Sequence, residues 1–181
     1  MKGGALGGIL KKGILKVGDE IEIKPGLNIK KANQQSYQPL VTKIVSLRKG
    51  KDSVDEITSG ASISIETSLD PVLAKADSLT GCVASIKGEL PEITNTLKLK
   101  AELFKEVLGV QEHQDVAPIK TKEMLMLSVN TTITVGTVEK ISKDEIDLNL
   151  NIPIVALKGD NVGIARNIDA HWRLIGFGKI N

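Results

Sequence analysis

Apolar residues recur along this chain with a period of two. Ile21 and Ile23 alternate with Glu20, Glu22 and Lys24, and Ile63 and Ile65 with Ser62, Ser64 and Glu66. Leu97, Leu99, Ala101 and Leu103 alternate with Lys98, Lys100 and Glu102. The longest run has Ile146, Leu148, Leu150, Ile152 and Ile154, separated by Asp147, Asn149, Asn151 and Pro153. Such alternation puts apolar side chains on one face of a strand and polar ones on the other. Lys12-Gly13, Val17-Gly18-Asp19, Lys24-Pro25-Gly26, Lys49-Gly50, Ser59-Gly60 and Lys158-Gly159-Asp160 supply turns between the runs. No amphipathic helical stretch exceeds about two turns. The pattern predicts an all-β chain of two consecutive β-barrels, because closure removes the unpaired edges of many short strands. Pro91 donates no ladder hydrogen bond and precedes a fresh run at Thr94 to Phe104, so the predicted domains are residues 1–92 and 93–181. Val107 to Thr121 lacks a strand pattern and is expected to be a long loop inside the second barrel, and Leu27 to Pro39 is expected to be a loop projecting between two strands.

Composition narrows the function. With 41% hydrophobic and 25% charged residues among 181, the chain is foldable globular material. Its apolar runs fall far short of the roughly 20 residues of a membrane span, and Met1-Lys2-Gly3-Gly4 lacks the apolar region of a signal peptide, so a cytoplasmic protein with no membrane partner is expected. The lone cysteine, Cys82, has no disulfide partner and no zinc spacing to His113 or His171, and is expected to be a small buried apolar residue. No metal site is expected. Gly3 and Gly8 have the glycine spacing of a phosphate-binding P-loop, but Ile9 and Leu10 stand where Lys and Ser or Thr are needed; Gly50-Lys51 is followed by Asp52 and fails too. No nucleophile and base are suggested by spacing. The chain is expected to carry no catalytic residue and no cofactor, which turns attention to binding. From Met1 to Lys51 the charge is +8, from Asp52 to Glu92 it is −6, and the remainder is balanced. A basic first quarter attracts phosphate backbones by counterion release; lysines that only solvate strand faces would give the same count.

The stretch GGILKKGILKVGDEIEIKPG, Gly7 to Gly26, resembles the opening of the second domain of translational GTPases. Four more stretches narrow the resemblance to the gamma subunit of archaeal and eukaryotic translation initiation factor 2: KGGALGG at Lys2 to Gly8, SYQPLVTKIVSLRKG at Ser36 to Gly50, TSLDPVLAKADSLTGCV at Thr67 to Val83, and KTKEMLMLSVNTTITVGTVEKISKDEIDLNL at Lys120 to Leu150. The closing HWRLIGFGKI is similar to that family's C-terminal signature. The resemblance looks archaeal. It implies barrels of the domain II and domain III type, with Met1 a truncated or engineered start just after a GTP-binding domain. GTP and magnesium would bind that missing domain, as would the beta subunit. The implied partners of the chain are methionylated initiator tRNA, the alpha subunit of the same factor, the missing GTP domain in cis, and the ribosome in the full complex. Two alternatives stand beside this reading: a scaffold for the alpha subunit with no tRNA binding of its own, and the equivalent two-barrel part of an elongation-type factor.

Within that frame, Lys11, Lys12, Lys43, Arg48, Lys49 and Lys51 are candidates for tRNA backbone contacts. Arg166 and Arg173 are candidates for tRNA or the GTP domain, or else cover apolar surface and pair with acids. Lys30, Lys31, Gln35 and Tyr37, in the Leu27 to Pro39 stretch, are candidates for alpha-subunit docking, since loops and amphipathic Tyr favour interfaces. His171 is read as exposed or capping the core. The tail from Ala170 to Asn181 reads as a closing strand apolar on both faces, where Trp172→Ala would cost about 3 to 5 kcal/mol if the ring is buried.

Overall fold

The computed structural model describes residues 3–31, 34–60, 62–110 and 113–181, with the backbone alone for Lys31 and Gln34. The chain divides into two units, Met1–Leu90 and Pro91–Asn181. Fourteen antiparallel strands and one 3-10 segment, Pro71–Asp77, make up its described elements.

Unit 1 contains β1 (Ala5–Ile9), β2 (Ile14–Lys16), β3 (Glu20–Lys31), β4 (Gln34–Lys49), β5 (Asp52–Val54), β6 (Glu56–Thr58), β7 (Ser62–Thr67) and β8 (Val83–Ile86). Its main sheet runs β1-β7-β4-β3-β8, with β5 added to β4, and β2 pairs with β6 as a separate ribbon. The expected closure is therefore not seen in the hydrogen-bond ladder of the described residues. The turns at Lys12-Gly13 and Val17-Gly18-Asp19 cut β2 to three residues, which pair with the equally short β6 instead of bridging β1 to β8. Ile21, Ile44, Leu47, Ile57 and Ile65 form the main core, and Ile23, Leu40 and Leu69 a smaller one.

The stretch from Leu27 to Pro39, expected as a loop, is a hairpin instead. β3 and β4 pair from Leu27↔Gln38 to Lys31↔Gln34. β8 leaves β3 at Lys24 and β7 joins β4 only from Ile44, so this hairpin extends beyond the sheet as a two-stranded ribbon. Gly26 permits it at its root: φ there is +85°, and a Cβ would stand 2.0 Å from the Gln38 carbonyl oxygen.

Unit 2 is a closed barrel of β9 (Ile93–Leu103), β10 (Met124–Val129), β11 (Thr132–Ser142), β12 (Glu145–Val155), β13 (Asn161–Ile168) and β14 (His171–Ile180), in the order β10-β11-β12-β9-β14-β13. Leu99, Leu125, Leu127, Val138, Ile164 and Ile175 fill it. The seam between β9 and β14 depends on Gly176, where a Cβ would meet the Glu102 carbonyl oxygen at 2.3 Å. The segment between β9 and β10 is largely irregular, as expected, with one bridge, Glu106↔Asp115, and the His113 Nε2 lies 2.9 Å from the Glu106 carboxylate. Val107 is buried within it, and Val110, Val116 and Ile119 pack on the barrel core.

The tail is a closing strand, but its faces differ from expectation. The register of β13 and β14 shifts between Ile164 and Ala165, and Ile175 takes the core position while Trp172, Leu174 and Phe177 lie partly exposed. Trp172 retains 38% of its accessibility, so the large cost expected of a buried ring does not apply.

Candidate nucleic-acid interface

β7 is the organiser of the basic end of unit 1. On one side β1 pairs with it so that Ile9 faces Ser62; on the other, β4 pairs so that Arg48 faces Ser64. The chain leaving β1 carries Leu10, Lys11 and Lys12, and the chain leaving β4 carries Lys49 and Lys51. Both turns thus emerge at the same end of the sheet, either side of the start of β7. Adjacent strands lie about 4.8 Å apart, which places the two turns roughly 10 Å from each other. Gly60 N–H donates to the Leu10 carbonyl at 3.0 Å and Ser59 N–H to the Gly13 carbonyl at 3.2 Å, fixing the first turn to the approach of β7. Lys11, Lys12, Arg48, Lys49 and Lys51 are all exposed. Among the described residues, Lys12, Arg48, Lys49 and Lys51 form no ion pair, although Asp52 faces Lys49 across the β4–β5 turn.

Lys43 is not part of that gathering. It sits midway along β4, exposed on the outer face between Val41 and Val45, while Leu40, Thr42 and Ile44 point into the unit. From Ile23 to Lys51 the sequence has no acidic residue at all.

The ribbon of β3 and β4 carries the docking candidates. Lys30 pairs with Gln35 and Asn28 with Tyr37 across the strands, so these four side chains share one face. Lys30 and Gln35 are exposed; the Gln35 amide donates to the Tyr37 hydroxyl at 2.8 Å. Burial pushes the Tyr37 phenol up, against the hydrogen bond from Gln35. Lys31 lies on β3 by its backbone, and its side chain is outside the described residues. Cys82 packs at the ribbon's root, partly buried, with Sγ donating to the Gly26 carbonyl at 3.7 Å; burial raises its thiol.

The two arginines of unit 2 serve the barrel end. Arg166 donates to both Glu123 oxygens, to Oε1 at 2.5 Å and Oε2 at 3.3 Å, and to the carbonyls of Ala117 at 2.8 Å and Pro118 at 3.3 Å. Its guanidinium is therefore engaged in pinning the segment between β9 and β10. Arg173 faces it across β13 and β14, half-buried near Gly109. His171 is exposed, its ring nitrogen 2.7 Å from the Asp169 carbonyl.

One arrangement was invisible to pattern reading. Glu22 and Lys24, on the polar side of β3, were expected to face water, yet both are buried. The Leu90 N–H donates to Glu22 Oε1 at 2.9 Å, Lys24 Nζ donates to the Leu90 carbonyl at 3.1 Å, and the ammonium lies 3.5 Å from Glu22 Oε2. Burial pushes the Glu22 carboxyl up, but the N–H of Leu90, the Lys24 charge and the N–H of Gly88 outweigh it and hold the group below its ordinary value. The pair clasps the last residues of unit 1 to β3. The partners are 68 and 66 residues apart, so no local signal announces the contact.

Among the described residues, no group of His, Cys, Asp and Glu could hold a metal ion, and no helix is long and apolar enough to cross a membrane. The architecture matches that of a translation factor: the chain superposes over 99% of its length on the crystal structure of the bacterial selenocysteine-specific elongation factor EF-Sec, with a TM-score of 0.72, 19% identity and 25% of that chain covered. That likeness defines the fold alone. Residues 95–180 match the family model described as "Initiation factor eIF2 gamma, C terminal". Translation initiation factor 2 subunit gamma of Methanocaldococcus jannaschii is 42% identical over 180 residues, 99% of this chain and 44% of the relative; that of Pyrococcus furiosus is 45% identical over 178 residues, 98% and 43%. The chain belongs to the gamma-subunit family of translation initiation factor 2 and spans less than half the length of these relatives.

Proposed function

We propose that this chain supplies the tRNA-facing and alpha-subunit-docking parts of a cytoplasmic initiation factor 2 gamma subunit. The observation that carries the tRNA reading is the convergence of Lys11, Lys12, Arg48, Lys49 and Lys51 on one end of unit 1, from two turns distant in sequence. Exposed cations about 10 Å apart suit successive stretches of a phosphate backbone, and they contribute by releasing counterions without reading sequence. Arg166 has no part in this surface, since its donors are already engaged. In this reading GTP, its magnesium and the GTP hydrolysis of the family belong to the part of the relatives that this chain does not cover, and that part and the ribosome are further partners.

The test is binding of labelled initiator tRNA to the purified chain at low ionic strength. Weak binding is expected, falling as salt rises. Lys11→Glu, Lys12→Glu and Lys49→Glu should each weaken it and lower the salt slope by about one counterion. Undiminished binding by a variant bearing all three changes would remove the assignment.

A second reading concerns the ribbon. Lys30, Gln35 and Tyr37 share a face on an element that extends past its own sheet, a form suited to docking the alpha subunit. Lys31 adds charge on the same strand. If the chain bound the alpha subunit and showed no tRNA signal at any salt concentration, it would be a docking scaffold alone.

A further inference from the structure

β3 buries residues that its alternation assigns to water. Ile21 and Ile23 point into unit 1, so Glu22 and Lys24 stand on the outward face, yet they retain only 7% and 8% of their accessibility. What covers them is the exit of the unit. β8 runs antiparallel to β3 from Val83, opposite Lys24, to Ile86, opposite Ile21. The chain then reverses: Glu89 N–H donates to the Ile86 carbonyl at 3.1 Å, and Gly88 takes a φ of +88° within that turn. It returns to the ion pair at Leu90, whose N–H donates to Glu22 and whose carbonyl accepts from Lys24. The Gly88 N–H faces the same carboxylate.

Before the turn the chain is tied in another way. Lys87 N–H donates to the Glu20 carbonyl at 3.1 Å, and β8 stays on β3 through its own register, Ile21↔Ile86 to Lys24↔Val83. Neither tie involves the Glu22 or Lys24 side chain. After Leu90 only Pro91 and Glu92 precede β9. With Leu90 held, the connection from Leu90 to Ile93 spans at most about 10 Å; with Leu90 released, the connection from Lys87 to Ile93 spans up to about 20 Å. Stranding one buried charge costs more than the few hydrogen bonds of this crossing return. Lifting the crossing lets water reach the charge and leaves the rest of unit 1 folded.

We infer that Glu22 and Lys24 are positioning residues that hold Gly88 to Leu90 as a strap across the outward face of β3, and that this strap sets the length of the chain connecting the two units. The strap opens as a small unit of its own, ahead of β3 and β8, and its opening doubles the reach of the connection.

Native-state amide exchange of the intact chain, followed residue by residue by NMR, tests the strap without any substitution. The amides of Gly88 and Leu90 should exchange through an opening with little denaturant dependence, and those of Ile21 and Ile23 only through unfolding of unit 1. One shared dependence for all four overturns the strap as a separate unit. Substitution then tests the pair. Glu22→Ala and Lys24→Met should each speed cleavage of the Glu89–Leu90 bond by a glutamate-specific endoproteinase, about tenfold more than they speed cleavage of Glu56–Ile57 in β6. Glu22→Gln, which keeps an acceptor for the Leu90 N–H, should fall between them and the unsubstituted chain. Equal acceleration at the two bonds means a general loosening of unit 1, and unchanged cleavage at Glu89–Leu90 in both variants means that the pair does not hold the strap. Either result overturns the assignment.

Discussion

Glu22 and Lys24 show what a buried pair does for a small β unit. Two charges taken out of water gain little net stability, but removing one partner strands the other. Lys24→Met is expected to destabilise unit 1 by about 3 to 5 kcal/mol, and the double change with Glu22→Gln to recover most of that loss, measured by denaturant unfolding. The carboxyl also sets a pH dependence. Its folded value lies below the ordinary 4.5, so its contribution is complete above that value and is lost as pH falls through the lowered one. Glu22→Gln should flatten this acid limb; an acid limb unchanged in the variant would show that other carboxylates govern it. At the other end of the chain the same logic of position separates neighbours. Ile175 is fully buried and Trp172 partly exposed, so Ile175→Ala should cost about 2 to 5 kcal/mol and Trp172→Ala about 1 to 2 kcal/mol. Equal shifts of the denaturation midpoint would contradict the register of β14.

Elements were legible wherever one face met a core and the other met water. The alternation around Ile21, Ile63, Leu97 and Ile146 reads directly as β3, β7, β9 and β12. It continues on β3 through half-buried Leu27 and Ile29 beside exposed Asn28 and Lys30, but fades on β4, where Gln34, Gln35, Ser36 and Gln38 are all polar, so the partner strand of the ribbon carries no alternation to read. It misleads in β14 because one register shift moves Trp172 and Leu174 away from the core while Ile175 enters it, and a bulge leaves no mark in composition. The candidate site shows the same limit. Charge count pointed to the first quarter, but only pairing with β7 brings Lys11 and Lys12 beside Arg48 and Lys49, and only its place midway along β4 sets Lys43 apart from them. At this scale Gly176→Ala is the sharpest test of the barrel seam. The added Cβ would collide with backbone at 2.3 Å, so β9 and β14 must separate, and amide exchange should accelerate in those two strands before the rest of unit 2.

For the molecule as a whole, separate ends imply separate energies. Substitutions at the cationic turn and on the β3–β4 ribbon share no partners, so their effects on binding should add when combined, and coupling above about 0.5 kcal/mol would argue that the two surfaces overlap. The closed barrel of unit 2 has a different consequence. β14, its last strand, hydrogen-bonds β9 on one side and β13 on the other. During synthesis β9 is the first of the six staves to leave the ribosome and β14 the last. Until β14 emerges β9 keeps an open edge, and β13 does too from the moment it is made, whereas unit 1 can finish folding from its own strands. Nascent unit 2 is thus the period of greatest exposure to wrong pairing and to chaperones, and the final ten-residue strand ends it in a single step.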